Sequence, residues 1–308
     1  MYQSLKEFIR QKAGLQRNSQ ELQDLETRLT RRLDFLSSFV NLTWPARLEL
    51  DEAVLEKALR RIKEEYDITG FNTAIHKNDL MFAFHLNSFP DDPVEALFSY
   101  YRVGYTTAEN LLKIAENFGI KPGRLLDFGS GYGRVSRFLP SCFPDADCVV
   151  SEVKAQAIDF QEQELSLSGV RHGHRSEEYP HEEYELILAL SVFTHLPQTL
   201  FRDWMQALTQ RLRPTGAMVF TFLDQARDES REILKNFSQG NSGFEYIQRS
   251  EDSYFNFVAD HIRDDQDYGS SFITRDWLGS LARELNMRVV FLDYQLVSSQ
   301  DAAIFLPQ

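Results

Sequence analysis

One nine-residue stretch constrains this chain more than any other. Leu125-Leu126-Asp127-Phe128 is a short apolar strand that runs directly into Gly129-Ser130-Gly131-Tyr132-Gly133. Glycines at alternate positions let the backbone turn sharply and approach a ligand closely, because no Cβ intervenes. A short helix is predicted from Gly133 to Leu139. From Arg124 onward apolar strands alternate with helical segments. Strands are expected near Leu125–Phe128, Cys148–Ser151, Val170–His174, Leu186–Ser191, Ala217–Leu223, Met287–Leu292 and Ala302–Leu306. Helices are expected at Ala155–Leu167, Pro197–Leu212 and Arg275–Leu285. This alternation predicts an α/β, Rossmann-like doubly wound sheet of seven mostly parallel strands. The last two strands are joined by about nine residues with no helix, too few for a parallel return, so the final strand should be reversed. In open sheets of this kind ligands bind at the carboxyl ends of the strands, at the topological switch point. The glycine turn marks that point.

The next question is which ligand the turn serves. The dinucleotide fingerprint G-x-G-x-x-G requires a third glycine where this chain has Arg134. Asp127, two residues before the first glycine, would sit close to a pyrophosphate, yet it suits a ligand with an ammonium or sulfonium charge. The order D-x-G-x-G-x-G therefore points to S-adenosylmethionine rather than NAD. Glu152 ends the second strand, where an acidic side chain can accept both hydroxyls of a ribose. A plain surface glutamate is the alternative reading.

The chain resembles class I S-adenosylmethionine-dependent methyltransferases, and is closest to bacterial small-molecule members. The resemblance covers about Tyr101 to Gln308. It rests on Leu126-Asp127-Phe128-Gly129-Ser130-Gly131-Tyr132-Gly133-Arg134, Ser191-Val192-Phe193-Thr194-His195-Leu196-Pro197, Leu212-Arg213-Pro214-Thr215-Gly216 and Gln300-Asp301. Ser130 replaces a cysteine of the family pattern, and Thr215 a glycine. The resemblance implies cofactor contacts from Asp127, Gly129, Ser130, Gly131, Gly133, Glu152, Val192 and Phe193. It also implies one from Tyr105, in a segment like the one that lines the methionine end. The family often carries an acidic residue after the third strand, near the adenine. This chain reads His174-Arg175-Ser176-Glu177-Glu178 there, which leaves the adenine contact without an obvious candidate.

Composition narrows the function further. Of 308 residues, 43% are hydrophobic and 13% aromatic, ample for a core. No apolar run reaches the length of a membrane span, and residues 1–15 are charged and amphipathic, unlike a signal peptide. Cys142 and Cys148 are the only cysteines and lack metal-ligand spacing, so no metal is expected. A cytoplasmic protein is the expectation. The net charge is −13, and it is uneven. Residues 1–63 carry 12 Lys/Arg against 9 Asp/Glu, whereas the remainder carries 21 against 37. That acidic remainder repels phosphate backbones and argues against a nucleic-acid partner.

Residues 1–100 are expected to form an N-terminal helical region and 101–308 the methyltransferase domain, with an insert at 224–274. Leu15, Leu22, Leu29 and Leu36 recur every seven positions, either as a homodimer seam or as a stripe packed on the rest of the chain. Trp44-Pro45 breaks this helix, and another is expected from about Asp51. Residues 67–92 read as irregular or short-stranded. A helix is expected at Pro93–Tyr101, followed by one capped by Thr106 or Thr107 and closed by Gly119. Residues 67–105 and the insert, with Tyr246, Tyr254, Phe255, Asn256, Phe257, His261 and Tyr268, are candidates for the substrate walls.

A sulfonium is already an activated leaving group, so the enzyme mainly has to align the nucleophile. A hydroxyl nucleophile also profits from a base, and His195, after the fourth strand, is the candidate. Alternatively it orients its loop. The expected activity is methyl transfer to an O or N atom of a small metabolite, such as a sugar or natural-product intermediate. A non-catalytic S-adenosylmethionine-binding scaffold and a protein methyltransferase are the alternatives.

Overall fold

The computed structural model describes residues 50–237, 243–248, 269–297 and 300–308. The heptad leucines lie outside these residues, as do Tyr254, Phe255, Asn256, Phe257, His261 and Tyr268. The chain divides into two compact units, Met1–Trp44 and Pro45–Gln308, and the second carries everything described below.

Among the described residues three helices precede the sheet, each started by an aspartate that caps free amides. In α1 (Glu52–Tyr66) the Asp51 carboxylate accepts from the Val54 amide at 3.1 Å, and Ala58 and Ile62 are buried. Helix α2 (Leu80–Ser88) corrects the expectation of irregular chain at 67–92. Asp79 Oδ1 accepts from the amides of Met81 and Phe82 at 2.9 and 3.2 Å. Its first residues, Leu80 to Phe84, are all apolar, so no helical period could be read there. The third helix, α3 (Pro93–Asn117), is one continuous element where two were expected. Thr106 and Thr107 do not cap it. Their hydroxyls bond back to the carbonyls of Arg102 and Val103 at 2.9 and 2.7 Å, inside the helix.

The sheet contains β1 (Arg124–Phe128), β2 (Asp147–Glu152), β3 (Ser168–Arg171), β4 (Tyr184–Ala189) and β5 (Leu212–Asp224). It continues with β6 (Phe244–Gln248), β7 (Gly269–Ile273), β8 (Met287–Val297) and β9 (Gln300–Pro307). Between them lie α4 (Leu139–Cys142), α5 (Ala155–Glu164), α6 (Gln198–Thr209), α7 (Asp228–Phe237) and α8 (Arg275–Glu284). The short helix expected at Gly133–Leu139 is a turn, a 3-10 turn at Ser136–Phe138 and then α4. Strand β3 begins two residues before its predicted start.

Strand order is β3-β2-β1-β4-β5, with β1, β2, β3, β4 and β5 parallel. The seven expected strands are present, and β9 runs antiparallel to β5, as the short β8–β9 connection requires. The insert adds a hairpin that sequence periodicity did not reveal. Strand β5 therefore forks: Met218–Phe222 pair with β9, and Leu223–Asp224 pair with β7, which in turn pairs with β6.

Successive side chains on a strand face opposite layers. Leu125 packs with Leu97 and Leu111 of α3, while Leu126 packs with Phe201 and Met205 of α6 and Leu278 of α8. Helices thus cover both faces, and the polar groups of the strand ends collect at one carboxyl edge. Residues of α1, α2 and α3 share the first of these cores, so residues 50–100 are built onto the sheet.

Candidate active site

The glycine turn leaves β1 with Gly129, Gly131 and Gly133 at φ of +74°, +58° and +77°, a region open mainly to glycine. Two of them are also sterically fixed. A Cβ on Gly129 would lie 2.3 Å from Val192 Cγ2, and one on Gly133 would lie 2.4 Å from Leu165 Cδ1. The turn is held from behind by backbone bonds from Gly129 and Ser130 to the Ser151 carbonyl, at 2.8 and 3.1 Å. Buried Gln161 of α5 donates to Ser130 Oγ and to the Gly131 carbonyl, at 2.8 and 2.9 Å. Nothing in the sequence distinguishes Gln161 from a surface glutamine. Its role exists only because α5 packs behind the turn.

Two carboxylates flank this turn at neighbouring strand ends. Asp127 is 3% exposed and accepts a hydrogen bond from Ser136 Oγ at 2.6 Å. Burial pushes its pKa up to about 6; the Ser136 hydroxyl works against that rise and the Glu152 charge adds to it. Glu152 is oriented by two main-chain amides. Oε2 accepts from Gly131 at 3.0 Å and Oε1 from Lys154 at 3.2 Å. Each oxygen keeps a lone pair, so the carboxylate can still accept two hydroxyls at once.

These groups open on a cleft of about 380 Å³ at the carboxyl edge. Its lining includes His172 and Trp204 as well as the segment Asn78–Met81 with Arg134 and Val135. His172 follows β3 and is stacked on Phe128, with ring centroids 5.2 Å apart and 19° between planes. Burial lowers its pKa, which keeps the ring neutral. Nδ1 bonds the Gly173 carbonyl at 2.8 Å, and Nε2 is buried without a hydrogen-bond partner. A neutral ring with an unsatisfied acceptor thus stands where an acidic residue was sought two positions later in the sequence.

The loop after β4 forms the facing wall. Ser191 has φ of +58°, a conformation few side chains adopt. Its amide is satisfied by Thr221 Oγ1 at 2.8 Å, and its hydroxyl exchanges bonds with the Gln300 amide. His195 lines the cleft, and its Nδ1 donates to the Gly269 carbonyl at 2.9 Å, so Nε2 is the basic nitrogen of the neutral ring. The insert strand β7 carries this loop along its length. Gly269 donates to the His195 carbonyl at 3.2 Å and Ser271 to the Thr194 carbonyl at 2.9 Å, while Ser271 Oγ bonds the Leu196 carbonyl. The base of the insert is in turn fastened by Arg227 on buried Asp301 and Arg275 on buried Asp224.

The remaining expected residues lie elsewhere. Phe193 is fully buried against Phe201 and Phe220, behind the loop. Tyr105 packs edge-on against Tyr66 and Phe138 and does not line the cleft. Its neighbour Gly104 has the closer link to the site, because a Cβ there would be 2.1 Å from the Arg134 carbonyl. Gly133 supports the turn from below. The cleft also has two contributors that sequence reasoning missed, Arg134 and His172, while the N-terminus of α2 lies within residues 67–105, named above as candidates for a substrate wall.

Comparison with known proteins follows this geometry. The family described as methyltransferase domain matches residues 99–291, well over half of the chain. No curated protein matches it in sequence. Solved structures with a similar fold include the DhpI-SAM-HEP complex, at 14% identity and a TM-score of 0.46, covering 84% of this chain and 100% of that one. The magnesium protoporphyrin IX methyltransferase ChlM of Synechocystis PCC 6803 is similar at 11% identity and a TM-score of 0.46, covering 83% and 95%. A S-adenosylmethionine-dependent methyltransferase from Clostridium acetobutylicum is similar at 8% identity and a TM-score of 0.47, covering 66% and 92%. Likeness at that level adds nothing about what this chain acts on. The chain belongs to the methyltransferase-domain family, and it is an enzyme that uses S-adenosylmethionine. The site suits that cofactor: a glycine turn in which a Cβ on Gly131 would meet only open space, an acidic pair for a cationic ligand, and an unsatisfied buried imidazole nitrogen. Among the described residues no helix is long and apolar enough to cross a membrane.

Proposed function

We propose that the enzyme methylates an O or N atom of a small metabolite, a sugar or natural-product intermediate among them. The observation that carries this reading is that His195 lines the same cleft as Asp127 and Gly129, with its ring fixed by Gly269. S-adenosylmethionine supplies a methyl group on a positively charged sulfur. Asp127, Gly129, Ser130, Gly131 and Gly133 would hold its methionine portion, with Asp127 balancing the positive charge. Glu152 would accept the two ribose hydroxyls, and His172 would meet the adenine. Val192 keeps the turn pressed into shape, and Phe193 supports it from behind. His195 Nε2 takes the proton of a hydroxyl acceptor as the new bond to carbon forms, or first takes one from an ammonium acceptor so that its nitrogen has a lone pair to attack with.

The cleft volume and its roof at Asn78–Met81 support a small acceptor over a protein chain. In this reading residues 101–308 carry the chemistry, and the N-terminal helical region 1–100 contributes part of the substrate wall. A homodimer seam is one of the two readings of the heptad leucines of residues 15–36, and nucleic acid is not a partner in this reading. Cys142 and Cys148 are free thiols, which fits a cytoplasmic setting. The test is methyl-labelled S-adenosylmethionine offered with pools of sugars, phenols and amines, followed by mass spectrometry of the products. Label in an O-methyl or N-methyl metabolite supports the reading. Label only in added basic peptides overturns it in favour of a protein methyltransferase.

A further inference from the structure

We infer that Arg134 receives an oxyanion, a carboxylate or phosphate, on the methyl acceptor, which is otherwise apolar; this rests on the small-metabolite reading above. Arg134 is half-buried and lines the cleft directly after the glycine turn. Among the described residues its guanidinium donates no hydrogen bond and joins no ion pair. Its neighbour Arg137 shows the contrast. That side chain is spent on structure, donating to the carbonyls of Gly133, Asn72 and Ala74 at 2.9, 3.0 and 2.8 Å. A partly desolvated guanidinium with its fork unused is costly unless something completes it.

The carboxylate that acts on Arg134 electrostatically is Asp79, whose hydrogen bonds go to other groups. Oδ1 caps α2 through Met81 and Phe82, and Oδ2 accepts the Tyr100 hydroxyl at 2.5 Å. Nor can Arg134 swing away with its backbone, because Gly104 of α3 is seated against its carbonyl. Burial lowers its pKa, but a guanidinium keeps its proton in proteins, so the charge stays.

The position of this charge favours the acceptor over the cofactor as its partner. Arg134 acts on His85 of α2 and is acted on by Asp79, the cap of α2, and by Tyr100 of α3. The cation therefore stands by the α2 wall. Asp79 and His85 also precede residue 99, where the family match begins. A wall outside the shared domain can differ between enzymes that keep one cofactor and change acceptor. The same cleft is lined by Leu80, Met81 and Val135, an apolar surface for the rest of the molecule. A guanidinium fork matches a carboxylate or phosphate with two parallel hydrogen bonds.

The test uses full-length enzyme saturated with S-adenosylhomocysteine. Phenylacetate, phenylphosphonate and the neutral phenylacetamide are titrated by calorimetry. The wild type is expected to bind at least one of the two anions tenfold or more tighter than the amide. Arg134→Gln should abolish that preference and Arg134→Lys should retain part of it. Affinity for S-adenosylhomocysteine should stay within threefold in both variants, which also shows that they fold. Equal binding of anions and amide by the wild type overturns the inference, as does a preference that persists in Arg134→Gln. A tenfold loss of S-adenosylhomocysteine affinity in Arg134→Gln also overturns it, by assigning the guanidinium to the cofactor's own carboxylate. The small-metabolite reading fails separately, if methyl label reaches only peptides.

Discussion

The Gln300 side chain bonds the Ser191 hydroxyl at 2.9 Å across 109 positions of sequence. Gln300 opens the last strand, β9, and Ser191 holds a left-handed conformation just past the end of β4. The reversed last strand thus fastens the loop that carries Val192 and His195. The adjacent Asp301, almost fully buried, fastens Arg227 at the base of the insert. The Gln300-Asp301 pair ties two walls of the cleft to one strand.

Cofactor binding should depend on the two strand-end carboxylates. Calorimetry should show S-adenosylmethionine and S-adenosylhomocysteine binding and NAD not binding. Glu152→Ala and Asp127→Ala should each weaken S-adenosylmethionine by about 1.5–3 kcal/mol, the cost of a lost charged hydrogen bond. Wild-type affinity in either variant removes that carboxylate from the cofactor site.

Asp127 should also impose a pH dependence on stability. Its folded pKa, about 6, lies above its ordinary 3.8, so the folded state holds the proton more tightly. The stabilisation is complete below the ordinary value and disappears as pH rises through about 6. Apo enzyme should lose about 2.5 kcal/mol from this group between pH 4 and pH 8, and Asp127→Asn should not. Denaturant titrations across that range would show it. Binding of the cationic cofactor should move the opposite way and strengthen above pH 6, since it needs the ionised form. Parallel pH curves for wild type and Asp127→Asn contradict the assignment.

Gly129→Ala should destabilise by about 1–3 kcal/mol, from the left-handed backbone and the contact with Val192. Val192→Ala in the same chain should restore part of the loss, because it removes the methyl group that the new Cβ meets. Thermal melts of the single and double variants decide it. Additive losses would mean that the two residues do not meet.

His195→Ala should lower kcat by roughly 10²–10⁴ while cofactor affinity stays near wild type, if the imidazole takes the acceptor's proton. The rising limb of the rate against pH, across the range where an imidazole loses its proton, should vanish in the variant. The hydrogen bonds from β7 to the same loop offer the competing outcome. If His195 only orders that loop, cofactor and substrate affinities fall together and the pH limb survives.

Deleting residues 1–42 should convert a dimer to a monomer in light scattering if Leu15, Leu22, Leu29 and Leu36 form an intermolecular seam. A full-length monomer rejects that seam.

The sequence by itself determined the sheet and the cofactor turn, because both are local. Strands β1, β2, β4, β5, β8 and β9 announce themselves by short apolar runs between turn residues. The spacing of Asp127, Gly129, Gly131 and Gly133 is a backbone requirement written directly in residue types. The reversed last strand followed from the length of one connection. Helix α2 escaped because its first residues are all apolar and give no period, although Asp79 supplied a cap. Helix α3 was split in two because Thr106 and Thr107 look like caps until their hydroxyls are seen bonding back within the helix. Only the tertiary structure could decide what those elements meet. Gln161, Gln300, His172 and Arg134 are ordinary polar residues in the chain, and each acquires its role from a neighbour 30 to 109 positions away. Long-range packing sets which polar group is satisfied and which is left facing the cleft, and no local pattern encodes that difference.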